Sequence, residues 1–151
     1  MELSYHRATP ADLPFIIGQI VEDSVVTLDD DAADAMAPHY VDALAAITAD
    51  PHQEMFVVRL GEEAVGCFQL SYLPGLMRRG MWRGQIEVVH VTPERRNGGI
   101  GSQMMRWAVA RCREKGCGMV QLTSNKKRGD AHRFYERLGF LRSHEGFKYY
   151  L

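Results

Sequence analysis

A β-prone run, Gln85-Ile86-Glu87-Val88-Val89-His90-Val91, leads directly into Thr92-Pro93-Glu94-Arg95-Arg96-Asn97-Gly98-Gly99-Ile100-Gly101. An apolar stripe at helical spacing follows, made of Ile100, Met104, Trp107, Ala108 and Cys112. This unit of strand, glycine turn and helix constrains the fold more than any other stretch. The helix stops near Gly116, and a short β-prone run starts at Met119. Two strands joined by one crossover helix lie parallel, so the chain reads as mixed α/β.

The flanking segments predict mainly antiparallel neighbours. Residues 4–7 form a first strand. Thr9-Pro10-Ala11-Asp12 then supplies a hydroxyl cap, a proline at the first helical position and an acid in the first turn. Leu13, Ile16, Ile17 and Ile20 give that helix one buried face. Residues 23–38 break the pattern with Asp29, Asp30, Asp31 and Asp34 and read as a loop or marginal helix; a second helix covers residues 39–49. Residues 55–60 and 64–72 alternate around Gly61-Glu62-Glu63 as a β-hairpin, and a glycine-rich basic loop with Arg78, Arg79 and Arg83 leads to the run at Gln85. Asp130 caps a helix striped by Ala131, Phe134, Tyr135 and Leu138, which Gly139 ends. Residues 140–143 and 147–151 predict a closing hairpin.

With 151 residues, one domain spanning 1–151 is expected. Eighteen Lys and Arg against nineteen Asp and Glu leave a net charge of −1, so there is no general attraction to a polyanion and nucleic acid is not an expected partner. A composition 46% hydrophobic and 25% charged excludes disorder. No apolar run reaches the roughly 18 residues of a membrane span, and Met1-Glu2-Leu3-Ser4-Tyr5-His6 does not begin a signal peptide, so a cytoplasmic protein is expected. Cys67, Cys112 and Cys117 form no C-x-x-C pair and the six histidines show no ligand spacing, so no metal is expected.

Gly98, Gly99 and Gly101 sit where a strand becomes a helix. There the first helical N–H groups are unpaired and carry the positive end of the dipole, which suits a phosphate; Arg95 and Arg96 add charge. The alternative is a tight turn beside solvated arginines. A P-loop is excluded because no Lys-Ser/Thr follows, and the spacing is not that of the dinucleotide G-x-G-x-x-G. Glu87 stands out as a carboxylate in a β-rich run. In a regular strand Glu87 and His90 face opposite ways, and a bulge changes which of them faces a cleft.

Arg96, Gly99 and Gly101 match an Arg/Gln-x-x-Gly-x-Gly/Ala loop, and Tyr135, Gly139 and Phe140 match a later Tyr-x-x-x-Gly-Phe pattern. In both, and in its first strand and helix, the sequence resembles the GNAT superfamily of acetyl-CoA-dependent N-acetyltransferases. The resemblance implies a GNAT-like α/β (α+β) fold: a mixed, mostly antiparallel six- to seven-stranded sheet with a central, splayed parallel pair, flanked by about four helices. It implies acetyl-CoA as cosubstrate, its pyrophosphate held by Arg95, Arg96, Asn97, Gly98, Gly99, Ile100, Gly101 and Ser102. The pantetheine arm would lie against Val89, His90 and Val91, with Asn125 and Tyr135 alongside. Tyr135 becomes the general acid for the leaving thiolate, where its stripe alone reads as core, and Glu87 and His90 are the candidate bases. Many family members have Asn where this chain has Arg128. Lys126, Lys127 and Arg128 meet either the CoA 3′-phosphate or solvent.

The acceptor is expected to be a primary amine of a small molecule. The acidic residues 29–34 suit a cationic amine and the basic loop at 78–83 suits an acceptor with a carboxylate, so its identity stays open. The alternatives are a protein or peptide N-acetyltransferase, or a non-catalytic acyl-CoA sensor. The apolar strand Phe147-Lys148-Tyr149-Tyr150-Leu151 is a candidate homodimer contact.

Overall fold

The apolar runs at the centre of the chain become a meander covered by helices on both faces. The computed structural model describes residues 2–24 and 29–151. Its elements in order are β1 (Ser4–Arg7), α1 (Leu13–Glu22), α2 (Pro38–Ala49), β2 (Gln53–Leu60), β3 (Glu63–Leu73), the one-turn α3 (Met77–Gly80), β4 (Trp82–Val91), α4 (Ile100–Glu114), β5 (Cys117–Leu122) and α5 (Gly129–Arg137). The strands form one sheet in the order β1-β2-β3-β4-β5, antiparallel except for the parallel pair β4–β5. The mixed sheet with its parallel pair agrees with the sequence reading. The marginal segment at 23–38 is described in part: residues 25–28 lie outside the described residues, and a 3₁₀ turn covers Ala32–Asp34.

Neighbouring residues of β2 serve opposite cores. Phe56 and Val58 join Phe68, Ile86, Ile100, Met104, Ala108 and Cys112 beneath α4, while Met55 and Val57 join Leu13, Ile16 and Leu44 beneath α1 and α2. That two-sided burial explains why β2 reads as a nearly continuous apolar run. The first helical segment begins as its sequence dictates, whereas Asp130 lies in the first turn of α5, whose N-cap is Arg128. Thr9 and Asp12 form a capping box, with the Thr9 N–H donating to Asp12 Oδ2 at 2.8 Å. A buried carboxylate ties α4 to the sheet: Glu54 accepts from Arg111 Nη2 at 2.8 Å, from Arg111 Nε at 3.1 Å and from the Tyr72 hydroxyl at 2.5 Å.

The expectation for the end of the chain also fails. Residues 140–143 and 147–151 do not form a hairpin, so the sheet has five strands and not six or seven. From Leu141 onward every residue is exposed, Phe147 at 94% and Tyr149 at 91%. A two-stranded hairpin without an apolar surface beneath it is marginal in water, and this segment has none within its own chain.

Two features of β4 position everything that follows. It pairs with β5 only from Trp82 to Ile86, the last partner of Ile86 being Leu122. On its other side it pairs with β3 through a bulge: Cys67 faces His90 and Gln69 faces Glu87, so Val88 and Val89 together oppose Phe68. Val88 takes φ of 56°, unusual for a β-branched residue.

Candidate active site

Where β4 parts from β5, a cavity of about 170 Å³ opens. Glu87, Val88, Val89 and His90 line it from β4, Leu122 to Asn125 from the end of β5, and Arg128, Ala131 and Tyr135 from the start of α5 and the residue before it. The splay thus gathers residues from across the chain.

The bulge decides which side chains meet. Val89 and Val91 pack into the α4 core, Val88 into the α1/α2 core, and His90 lies opposite Cys67, which belongs to that second core. Glu87 lies opposite Gln69 on the same face as His90, because residues directly paired across strands share a face. Without the extra residue the two would project to opposite sides. The bulge also leaves one residue's backbone outside the β3–β4 ladder beside the cavity.

His90 is nearly enclosed, with 12% of its side chain exposed, and its Nδ1 lies 3.0 Å from Asp23 Oδ2 at the end of α1. A carboxylate only accepts, so Nδ1 carries the proton and Nε2 keeps its lone pair. Burial pushes the imidazole below its ordinary value and the positive charges of Arg128 and Arg96 push the same way, against the opposing pull of Asp23. The ring is held neutral. Asp23 also approaches Arg128 Nη1 at 3.4 Å and Arg96 Nη2 at 3.5 Å, and its carbonyl accepts from Arg128 Nη2. One carboxylate between two guanidiniums leaves a net positive corner at the cavity. Sequence reading missed Asp23, which looks there like the first residue of a patternless stretch; its partners lie 67 and 105 positions away.

Tyr135 reaches the cavity from α5, set by edge-to-face contacts with Phe134 and Phe140 at centroid separations of 5.2 and 5.9 Å. Burial raises its phenol pKa, and among the described residues its hydroxyl has no hydrogen-bond partner. It is therefore protonated and free to donate.

The glycine loop follows directly from the cavity end of β4, after Val91. Gly99, the N-cap of α4, sits at φ 86° and contributes no capping side chain, so the N–H groups of Ile100, Gly101 and Ser102 have no acceptor within the helix. The first turn-to-helix bond is Gln103 N–H to Gly99 O at 3.1 Å. Nothing would lie within 4 Å of a Cβ at Gly99, whereas a Cβ at Gly101 would stand 3.3 Å from Phe134 Cζ. Gly98 and Asn97 complete the turn, Asn97 with φ 64°. The two arginines diverge: Arg95 pairs with Glu63 at 2.5 Å, and Arg96 folds back to donate to the Val91 carbonyl at 3.0 Å and to face Asp23. Asn125 orders the loop before α5, accepting from the Lys127 N–H at 2.9 Å. The cavity and the cradle thus share β4 and the face of α5. The residues fit an acyl-CoA, whose thioester end needs a slot and whose pyrophosphate needs free N–H donors.

In the acidic segment, Asp31 caps the turn at Ala33 and Asp30 accepts from the Tyr40 hydroxyl at 2.7 Å. Among the described residues no helix is long and apolar enough to cross a membrane, and no group of three or more His, Cys, Asp or Glu is placed to hold a metal.

Residues 23–140 match the model of the acetyltransferase (GNAT) family. An aminoalkylphosphonate N-acetyltransferase of Salmonella typhimurium is 36% identical over 68% of this chain and 66% of its own length. Human N-alpha-acetyltransferase 30 is 31% identical over 66% of this chain, but the match spans only 27% of that protein. A solved structure described as a transcriptional regulator from Bacillus halodurans C-125 superposes with a TM-score of 0.93 at 38% identity, covering 99% of this chain and all of that one. On the family match and the shared fold, the chain belongs to the acetyltransferase (GNAT) family.

Proposed function

We propose that this protein transfers an acetyl group from acetyl-CoA to a primary amine of a small-molecule acceptor by direct attack. The observation that carries the reading is the single cavity that holds a neutral, carboxylate-anchored His90 and the unpaired Tyr135 hydroxyl, joined along β4 to free helix N–H donors. The N–H groups of Ile100, Gly101 and Ser102 hold the pyrophosphate, with Gly98, Gly99 and Asn97 shaping the turn and Arg95 and Arg96 at its rim. The backbone of Val89 to Val91 accompanies the pantetheine arm as a neighbouring strand would. Acetyl-CoA supplies the activated carbonyl.

Glu87, exposed on the same face as His90, attracts the acceptor ammonium. His90 Nε2 takes one proton from the attacking nitrogen, and Asp23 stabilises the imidazolium formed. A β4 N–H freed at the bulge donates to the carbonyl oxygen as the N–C bond forms and the C–S bond breaks. Tyr135 gives its proton to the departing sulfur and is re-protonated by the second proton that the acylated nitrogen loses, while His90 releases the first to solvent, so of the two protons the ammonium loses one ends on the CoA thiol and one in solvent. The net positive corner at Asp23, Arg96 and Arg128 favours an acceptor whose amine is tethered to an anionic group, as in the substrate named by the Salmonella relative.

The test is thiol release across a panel of aminoalkylphosphonates, amino sugars, polyamines and a peptide N-terminus, with wild type and Tyr135→Phe. The proposal expects turnover on a small amine and a fall of tenfold or more in kcat for the variant, with acetyl-CoA binding unchanged. Acetylation of the peptide alone would shift the reading to a protein acetyltransferase. Acetyl-CoA binding without turnover on any amine would make the fold a sensor.

A further inference from the structure

The connection from β3 to β4 ends in an apolar, basic tip that the proposed reaction leaves unused. Leu76 is 96% exposed and Met77 83%, and Arg78 and Arg79 stand beside them in solvent. The tip is a closed turn, in which the Gly80 N–H donates to the Leu76 carbonyl at 3.1 Å and the Met81 N–H to the Met77 carbonyl at 3.2 Å. Arg78, Arg79 and Gly80 all take left-handed backbone, with φ of 54°, 63° and 75°. Two successive arginines in that region run against their own preference, and such strain clusters where a protein engages a ligand.

Other cations gather at the same end of the sheet. Trp82, the first residue of β4, lies opposite Cys117, so the last turn of α4 ends beside the tip, with Arg113 exposed and Lys115 Nζ 5.7 Å from the centre of the Tyr72 ring. Arg83 lies beneath the turn, its Nε 3.9 Å from where a Cβ on Gly75 would stand. Among the described residues none of Arg78, Arg79, Arg83, Arg113 and Lys115 stands in an ion pair. The acids of the flanking turns are engaged: Asp50 Oδ1 accepts from the His52 N–H at 2.8 Å, and Glu114 faces Arg111 at 3.7 Å. A chain whose net charge is −1 thus carries five unpaired cations at one pole.

We propose that this pole attaches the protein reversibly to an anionic lipid surface, Leu76 and Met77 entering the interface and the arginines meeting the headgroup phosphates. The layering of the tip matches that of a bilayer. Apolar side chains lead, guanidiniums follow, and Arg113 and Lys115 stand behind them in a surface field that decays over about 8 Å at physiological salt. Two aliphatic side chains alone hold a membrane only marginally, and a basic patch supplies the second signal that attachment needs. A polynucleotide would use the cations and leave Leu76 and Met77 in water, and a convex tip offers a protein partner no groove. The ten residues of β4, at about 3.3 Å each, set the glycine loop about 30 Å from the tip, so the attached protein turns that loop toward water. The inference stands apart from the proposed reaction, since it rests on this pole alone.

Sedimentation of the full chain with sucrose-loaded vesicles tests the attachment, comparing phosphatidylcholine alone with phosphatidylcholine containing one third phosphatidylglycerol. The expected result is binding to the anionic vesicles only, lost at about 0.5 M salt. Leu76→Ser with Met77→Ser should weaken that binding about tenfold. Arg78→Asn with Arg79→Asn should weaken it about tenfold or more, asparagine being a residue that accepts left-handed backbone. All four side chains are exposed, so both variants should melt as the wild type does. No binding to anionic vesicles, equal binding to neutral ones, or variants that bind as the wild type does would each overturn the proposal. Binding of single-stranded RNA without binding of vesicles would also overturn it and assign the pole to a polynucleotide.

Discussion

Asp23→Asn isolates the charge that anchors His90. The substitution keeps the shape and an acceptor oxygen for Nδ1–H, and removes the negative charge 3.0 Å from the ring. In the resting enzyme little is lost, because the imidazole is neutral there. In the proposed reaction His90 takes a proton from the amine, and the Nδ1–H to carboxylate bond then becomes an ion pair. A hydrogen bond to a charged group contributes about 1.5–3 kcal/mol, and each ~1.4 kcal/mol is tenfold, so kcat should fall roughly 10- to 100-fold. The imidazole is already low through burial, with Arg128 and Arg96 adding to that and Asp23 alone opposing, so its pKa should drop further in the variant. The assay pairs thiol release at saturating substrates with NMR titration of the His90 ring. A His90 that titrates lower while kcat stays within about twofold of wild type would refute its role as the base, leaving Glu87 to be tested by Glu87→Gln. An unmoved titration would refute the geometry itself.

Glu54→Ala should destabilise the fold by about 3–5 kcal/mol, lowering Tm by roughly 6–20 °C, because it strands the buried Tyr72 hydroxyl and the Arg111 guanidinium. Burial pushes the Glu54 acid up, but hydrogen bonds from Arg111 and Tyr72 and the charges of Arg111 and Arg7 outweigh it and hold the acid below its ordinary 4.5. Its stabilising contribution is therefore present above that pH and lost as the pH falls through the lowered value, which denaturant titrations of wild type and variant at several pH values will read as a converging difference. Gly101→Val should cost about 1–3 kcal/mol by pushing Phe134 away, and it should lower kcat as well because Tyr135 moves with that helix; an unchanged Tm would show that α5 is not held by this contact.

The layout of the fold was legible because it depends on local patterns. The Thr9 cap, the stripe from Ile100 to Cys112 and the alternation from Met55 to Tyr72 each carry their structure within a few residues. The glycine loop was legible for the same reason, since a helix start without a capping side chain is written in Gly98 and Gly99. Asp23 and Glu54 were not legible as partners, because each acquires its role from residues distant in sequence. The bulge at Val88 was equally hidden: a β-branched residue at positive φ contradicts its own local preference and is held there by the pairing of β3 with β4. The hairpin expected at the end of the chain failed for a related reason. Its alternation is real, but pairing needs a partner strand and an apolar floor, and residues 141–151 lie exposed against neither.

The claim that the turn from β4 into α4 holds the pyrophosphate of acetyl-CoA is tested most directly by calorimetric titration of acetyl-CoA into wild type and Ser102→Glu. Ser102 is the third residue of α4, where a carboxylate suits the helix dipole by about 0.3–1 kcal/mol and yet opposes a bound anion. The account predicts that the variant melts at the same temperature or higher and binds acetyl-CoA at least tenfold more weakly. Equal affinity in the two proteins, or no binding by the wild type, would contradict it.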